Sequence, residues 1–509
     1  MKNLSVKVKK EALVKVALFY PNRLKIAAAN LGYLTIYDIL NARADTLCEL
    51  FAMDEKYVSR SYNSGRNIGE FDIIAISMSF EMDIFNLVRF FKLNGIPPYA
   101  RDRNRFHPLI VGGGAYFTLN PETVSDFFDV ILLGEGEEAV GELIENFIRG
   151  RRKDEIKDIL SEIEGFYIPD RYEIEYDGVY IKSFQGTPKR VRKRLVTNID
   201  KYIPSSLSDT PISHFKNTLL VEVSRGCPYS CAFCSTPSLY YPYRYRELNN
   251  VVSKVNEHSD YKKVGFIGSA ISDYPYLDKL IAQTNVKTIT LSSFRINRVD
   301  EEIILALKKR GLKTITIASE VGNERMWKKI GKGISRKMVF DAIDTLNRCE
   351  IERIKIYFII GFHFETDDDV YDITKLLNNI ADIYSGHITA SVNIFIPKPQ
   401  SILQWAPLAD KNLIRRRVAI LRKNTDPSVQ IDMLSYKTAV LETIFSRGNR
   451  GIADYIVKSE NDNIFNLINK NEEYFSEFLG ELDTEKTLPW DFIEGGIEKK
   501  ELKRKYLSI

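Results

Sequence analysis

The sequence predicts an α/β protein in three parts: a doubly wound parallel sheet, a partial (β/α)6 barrel and a mainly helical C-terminal segment. Two series of short β-rich runs carry the first two parts, each run followed by turn residues and a stretch of helical period. The charged, helix-patterned stretch after about Pro397 carries the third.

In the first series, Val14 to Tyr20, Asp72 to Ser77, Pro108 to Val111 and Asp129 to Leu133 read as strands. Gly112, Gly113 and Gly114 follow one of them, and Gly134-Glu135-Gly136-Glu137 follows the next. Open α/β sheets bind ligands at strand carboxyl ends, so Gly112, Gly113, Gly114, Gly134 and Glu135 form a candidate pocket. Tight βα turns need such glycines with or without a ligand.

From Glu164 to Ser213 the pattern is irregular, with Pro169, Pro188 and Pro204, and an Asp177-Gly178 pair that suits a type I′ hairpin. A linker is expected there. The second series has strands near Leu219 to Val223, Lys263 to Gly268, Thr288 to Ser293, Thr314 to Ala318, Ile354 to Ile360 and Ile388 to Phe395. Six βα units in succession are expected to curl into a partial barrel, open on one side. The expected divisions are therefore 1–163, 164–213, 214–399 and 400–509, without short-period repeats or low-complexity tracts.

A chain of 509 residues is too long for one ordinary core, since cores stop growing at roughly 250–300 residues. The apolar share of 44% with mixed charges is that of a globular protein, and no apolar run reaches the roughly 18 residues of a membrane span. Met1 to Lys10 is polar and basic, unlike a secretory signal, so a cytoplasmic location with no membrane partner is expected. A net charge of +4 is too small to imply a nucleic-acid partner, and the run Lys189, Arg190, Arg192, Lys193, Arg194 reads as a solvated surface.

Of five cysteines, Cys48 and Cys349 stand alone and read as core thiols. The other three fall in Arg225-Gly226-Cys227-Pro228-Tyr229-Ser230-Cys231-Ala232-Phe233-Cys234, a CxxxCxxC loop leaving the first strand of the second series. An odd, clustered set points to a metal or cluster rather than a disulfide framework. Structural zinc is closed by four ligands, and no fourth Cys or His follows at finger spacing. A 4Fe-4S cube held by three thiolates keeps one iron open to another ligand.

This loop, in this place, resembles the radical SAM superfamily, over roughly Thr218 to Pro399. The resemblance implies a 4Fe-4S cluster on Cys227, Cys231 and Cys234 whose open iron chelates S-adenosylmethionine (SAM). It also implies reductive cleavage of SAM to methionine and a 5′-deoxyadenosyl radical, an electron donor such as flavodoxin or ferredoxin, and a substrate that no residue identifies. By the same resemblance, SAM contacts fall on Gly268 and Ser269, on Ser293 and Arg295, on Glu320, and on Gly361 and Glu365 of the Gly361-Phe362-His363-Phe364-Glu365-Thr366 loop. His363 stands there in the usual proline position, and the acidic residue expected near Ser269 is missing.

The first part sharpens the resemblance to a branch with a Rossmann-like, cobalamin-binding-like domain. Matching runs are Ala29-Asn30-Leu31-Gly32, Tyr37-Asp38-Ile39-Leu40-Asn41, Asn120-Pro121-Glu122, Tyr243-Arg244-Tyr245-Arg246, Phe395-Ile396-Pro397-Lys398-Pro399 with Gln404-Trp405, Ser446-Arg447-Gly448 and Pro489-Trp490-Asp491. That branch implies cobalamin-dependent methyl transfer, with the pocket at Gly112, Gly113, Gly114, Gly134 and Glu135. The D-x-H-x-x-G cobalt-ligand pattern is absent, so cobalamin, where bound, has no histidine ligand. Two alternatives are a methylthiotransferase, which needs N-terminal cluster cysteines where this chain has only Cys48, and a non-catalytic iron–sulfur or redox-sensing protein, which needs no SAM site.

Overall fold

The computed structural model describes residues 11–150, 152–204, 215, 217–258 and 260–509. The basic N-terminal ten residues and the end of the expected linker, 205–213, lie outside the described residues. The chain forms two compact units: Met1–Asn217 with Ile444–Phe478 and Asp483–Lys499, and Thr218–Thr443 with Leu479–Leu482 and Lys500–Ile509.

The first unit is built on a sheet in which β1 (Val14–Tyr20), β2 (Thr46–Ala52), β3 (Ile73–Ser77), β4 (Leu109–Gly113) and β5 (Val130–Leu132) run parallel in the order β2-β1-β3-β4-β5. A short β6 (Phe166–Tyr167) adds antiparallel to β5. The order reverses at β1, so the switch point where doubly wound sheets take ligands lies between β1 and β3. Sequence reasoning missed β2. Its seven residues are all buried, so it has no alternation, and Glu49 interrupts the apolar run that a doubly covered strand usually shows. Arg66 Nη1 at 2.8 Å and Ser64 Oγ at 2.7 Å satisfy that carboxylate.

A hairpin, β7 (Glu173–Asp177) and β8 (Tyr180–Gln185), follows, one residue out of the expected register. Asp177 pairs with Tyr180, so the turn residues are Gly178 and Val179, and only Gly178 takes a positive φ, 58°. That is the requirement of a II′ turn rather than I′. Then β9 (Val191–Arg192) runs parallel to Ile493–Glu494. The basic run here is divided: Lys189, Arg190 and Arg192 are exposed, whereas Lys193 is buried and Arg194 Nη2 reaches Glu142 at 2.6 Å.

In the second unit, β10 (Thr218–Glu222) is followed by β11 (Ser224–Arg225) and β12 (Arg244–Tyr245), which pair antiparallel. Parallel to β10 lie β13 (Lys263–Ile267) and β14 (Thr288–Leu291). A second parallel sheet holds β15 (Thr314–Glu320), β16 (Arg353–Ile360), β17 (His387–Ile394) and β18 (Val429–Met433), and a bridge from Phe294 to Ile317 joins the two sheets. Both β16 and β17 bury every second residue fully, Ile354 to Ile360 and Ile388 to Ile394, as strands do when side chains alternate between faces. Sequence reasoning missed β18, a seventh parallel strand among the described residues, within the otherwise mainly helical stretch after residue 400, which also holds β19 (Ile493–Glu494) in the first unit. Among the described residues no helix is long and apolar enough to cross a membrane.

Candidate active site

The cysteine loop begins where β10 gives way to a short antiparallel clasp. Ser224 and Arg225 pair with Tyr245 and Arg244, and Arg246 N–H donates to Val223 O at 2.9 Å. This explains the Tyr243-Arg244-Tyr245-Arg246 run. Glu222 closes the clasp electrostatically, accepting from Arg225 Nε at 3.1 Å and Nη2 at 2.9 Å, and from Arg246 Nη2. Burial works to raise its carboxyl pKa, but the two guanidinium groups prevail and hold it below the ordinary range. Gly226 then turns the chain at φ 82°; a Cβ there would lie 2.5 Å from Tyr240 O.

Distant segments brace the loop through main-chain groups. Ala232 N–H donates to Ile330 O and Ala232 O accepts from Leu403 N–H, both at 2.9 Å. Ser235 Oγ donates to Pro399 O and Ser238 Oγ to Gln400 O, both at 2.7 Å. Gln400 can offer its carbonyl because it adopts φ 60° and its N–H is taken by Gln404 Oε1 at 2.9 Å. The Phe395–Trp405 run is therefore the bed of the loop.

On that bed Cys231 is buried, and Cys227 and Cys234 are partly so. Burial pushes the Cys227 thiol up to about 11 and also raises Cys234, against the pull of Thr236. Such thiols give up protons when a metal takes the sulfurs. Among the described residues no three His, Cys, Asp or Glu side chains converge on a single ion. Ligands at three corners of a cube stand wider apart than ligands of one ion, and an all-thiol set suits iron–sulfur chemistry. The residues fit a cluster.

The residues assigned to SAM fall into two groups. Gly268, Ser269 and Ser293 end β13 and β14; a Cβ on Gly268 would sit 2.5 Å from Ser224 Oγ, and Gly268 O accepts from Ser292 Oγ at 2.7 Å. The others already have protein partners. Arg295 lies 3.4 Å over the Tyr229 ring and donates to Lys332 O at 2.9 Å. Glu320, at φ 67°, accepts from the buried Lys332 Nζ at 2.9 Å. Glu365 accepts from Gly361 N–H at 2.7 Å and pairs with Arg417 at 2.6 Å, and burial still pushes its carboxyl to about 7. His363 is exposed, its ring 5.9 Å from that of Tyr506, and partial desolvation lowers its pKa. Glu222, Tyr229 and Lys332 were not singled out by sequence reasoning, since their partners Arg246, Arg295 and Glu320 lie 12 or more residues away in the chain.

In the first unit the candidate glycine turns are packed against protein. A Cβ on Gly112 would meet the Phe117 ring at 2.8 Å, on Gly114 Met78 O at 2.5 Å, and on Gly134 Arg194 O at 2.2 Å. Glu135 Oε2 accepts from Val196 N–H at 2.7 Å. Gly113 has nothing closer than 3.9 Å. At the switch point Asn22 Nδ2 donates to Asp83 Oδ1 at 2.8 Å, and Asn30 Nδ2 reaches Tyr20 Oη and Ser79 Oγ at 3.4 Å. Two sequence runs also meet in this unit: Asn120 Nδ2 donates to Ser446 O at 3.0 Å and Gly448 O at 2.8 Å. Glu122 is held by Tyr167, Tyr176 and Arg450.

Two family models cover these parts: residues 221–377 match the radical SAM superfamily, and residues 32–169 match the N-terminal region of radical SAM proteins. The chain belongs to the radical SAM superfamily. An uncharacterised protein of Methanocaldococcus jannaschii is 25% identical, over 92% of this chain and 96% of its own length. An uncharacterised methyltransferase of Pyrococcus horikoshii is 25% identical over 67% and 73%. The radical SAM methyltransferase TsrM of Kitasatospora setae, solved with cobalamin and a [4Fe-4S] cluster bound, shares the fold with a TM-score of 0.55 at 14% identity, covering 88% of this chain and 99% of that one.

Proposed function

We propose that this radical SAM protein holds a 4Fe-4S cluster on Cys227, Cys231 and Cys234 and cleaves SAM reductively to carry out methyl transfer. The observation that carries the reading is three partly or fully buried thiols on a loop braced by Ile330, Pro399, Gln400 and Leu403 at the carboxyl end of β10. When bound, the cluster supplies one electron, received from a donor such as flavodoxin or ferredoxin, that breaks a carbon–sulfur bond of SAM. This chain's residues supply placement and dryness. The Glu222–Arg225–Arg246 clasp fixes where the loop starts, and the Gly268, Ser269 and Ser293 strand ends offer main-chain and hydroxyl groups to SAM.

The methyl-transfer step rests on the P. horikoshii relative and on the fold shared with TsrM. Cobalamin without a histidine ligand would lie at the switch-point edge, with the polar side chains of Asn22, Asn30 and Ser79 and the open face of Gly113 as the support for that placement. It does not fit the Gly134–Glu135 turn, which the Arg194 and Val196 main chain fills.

The test is anaerobic incubation of the reconstituted protein with SAM and a strong reductant, with and without cobalamin. 5′-Deoxyadenosine is expected in both, and bound corrinoid in the visible spectrum with cobalamin. No nucleoside product overturns SAM cleavage, and no bound corrinoid overturns the cobalamin part alone.

A further inference from the structure

Arg295 lies four residues beyond β14, in the position that family resemblance gives to a SAM ligand, yet its side chain is already committed. Its guanidinium carbon lies 3.4 Å from the centroid of the Tyr229 ring, Nη2 donates to Lys332 O at 2.9 Å, and Nε reaches Asn297 Oδ1 at 3.3 Å. Its own N–H is taken by Ser272 Oγ at 3.2 Å. Only 9% of the residue is exposed, so its charge is little screened by water.

Tyr229 stands between Cys227 and Cys231, so whatever grips its ring grips the cluster loop. The ring is held from its face by Arg295 and at its hydroxyl by Asp273 Oδ1, which accepts at 2.7 Å and also takes Arg298 Nε at 2.9 Å. Lys332 in turn pairs with Glu320, so the ends of β10, β14 and β15 are tied together.

We infer that Arg295 is a positioning residue for the cysteine loop and the fixed positive charge beside its cluster, making the cluster easier to reduce. The inference rests on the cluster reading above. Net charge and burial set the potential of an iron–sulfur centre, and a one-electron reduction adds negative charge that a nearby buried cation stabilises.

The test uses the full chain, reconstituted anaerobically as wild type, Arg295→Lys and Arg295→Gln. Three quantities are read: iron per chain, the midpoint potential of the SAM-free cluster by EPR-monitored titration, and SAM affinity. In Arg295→Gln the reduced-to-oxidised ratio at a fixed potential is expected to fall about tenfold, a shift of ~59 mV to more negative potential for a one-electron couple. Arg295→Lys keeps the charge and is expected to keep the midpoint. Full iron with an unchanged midpoint in Arg295→Gln overturns the inference, and a loss of SAM affinity alongside returns Arg295 to the SAM site. Should Arg295→Gln take up no cluster, Arg295→Lys decides: iron with a wild-type midpoint supports the inference, and a missing cluster or a displaced midpoint overturns it. Wild type that takes up no iron overturns the parent reading as well, and is told apart by that result.

Discussion

Two strand-end loops in this molecule look alike in sequence and behave differently in structure. The turn after β5, Gly134-Glu135, and the loop after β10, Gly226-Cys227, both leave a parallel sheet at its carboxyl edge through a glycine at positive φ. Around Gly134 the protein supplies every near neighbour: Arg194 main chain on one side, Thr118 Oγ1 on its N–H at 2.9 Å, Val196 on the next carboxylate. Around Gly226 the main chain is equally tight, and three partly or fully buried thiols follow on the same loop, Cys227 beside Tyr229 and Cys234 beside Thr236. Glycine at a strand end marks a close backbone approach; metal-ligating side chains clustered on one loop are what make a candidate site.

Replacing cysteines should show the largest effect. Alanine at Cys227, Cys231 or Cys234 is expected to abolish cluster iron and 5′-deoxyadenosine formation, while Cys48→Ser, deep in β2, leaves iron per chain unchanged, as counted by a colorimetric iron assay. Next comes Gly134→Ala. A Cβ 2.2 Å from Arg194 O in a backbone at φ 96° should cost about 2–4 kcal/mol of first-unit stability in urea unfolding. Iron per chain should not change.

Asp83, at the switch point, provides a pH signature. Burial, helped by the Glu81 charge and opposed by the Asn22 hydrogen bond, raises its carboxyl to about 6. Stability linked to its protonation is complete below the ordinary carboxylate range and is lost as pH rises through about 6. Wild type should therefore lose on the order of 2–3 kcal/mol from this group between about pH 4 and pH 7. Asp83→Asn should flatten that slope in unfolding measured across the range. The smallest effect expected is that of Ser235→Ala, which removes the 2.7 Å bond to Pro399 O: about 1 kcal/mol, with faster loss of iron to a chelator.

Most of the architecture was legible because periodicity is a local signal. The alternation of β16 and β17, the CxxxCxxC spacing and the turn glycines all lie within a few residues of one another. What was missed depends on partners far along the chain. β2 is covered on both faces and carries a buried Glu49 that only Arg66 and Ser64 make tolerable. β18 buries only Val429 fully, so its pattern was lost in a stretch of helical period. Lys193 reads as surface until its burial beside Gly495 is seen. The site followed the same rule. The cysteines could be read from spacing, whereas the clasp of Glu222 on Arg246 and the stacking of Arg295 on Tyr229 join residues that sequence places apart.

The most direct test is the EPR spectrum of the reduced protein, loaded with about four irons per chain, before and after SAM is added. A cluster held by three cysteines has an open iron for SAM, so the signal should change on addition. An unchanged signal, or a protein that takes up no iron, would contradict the account.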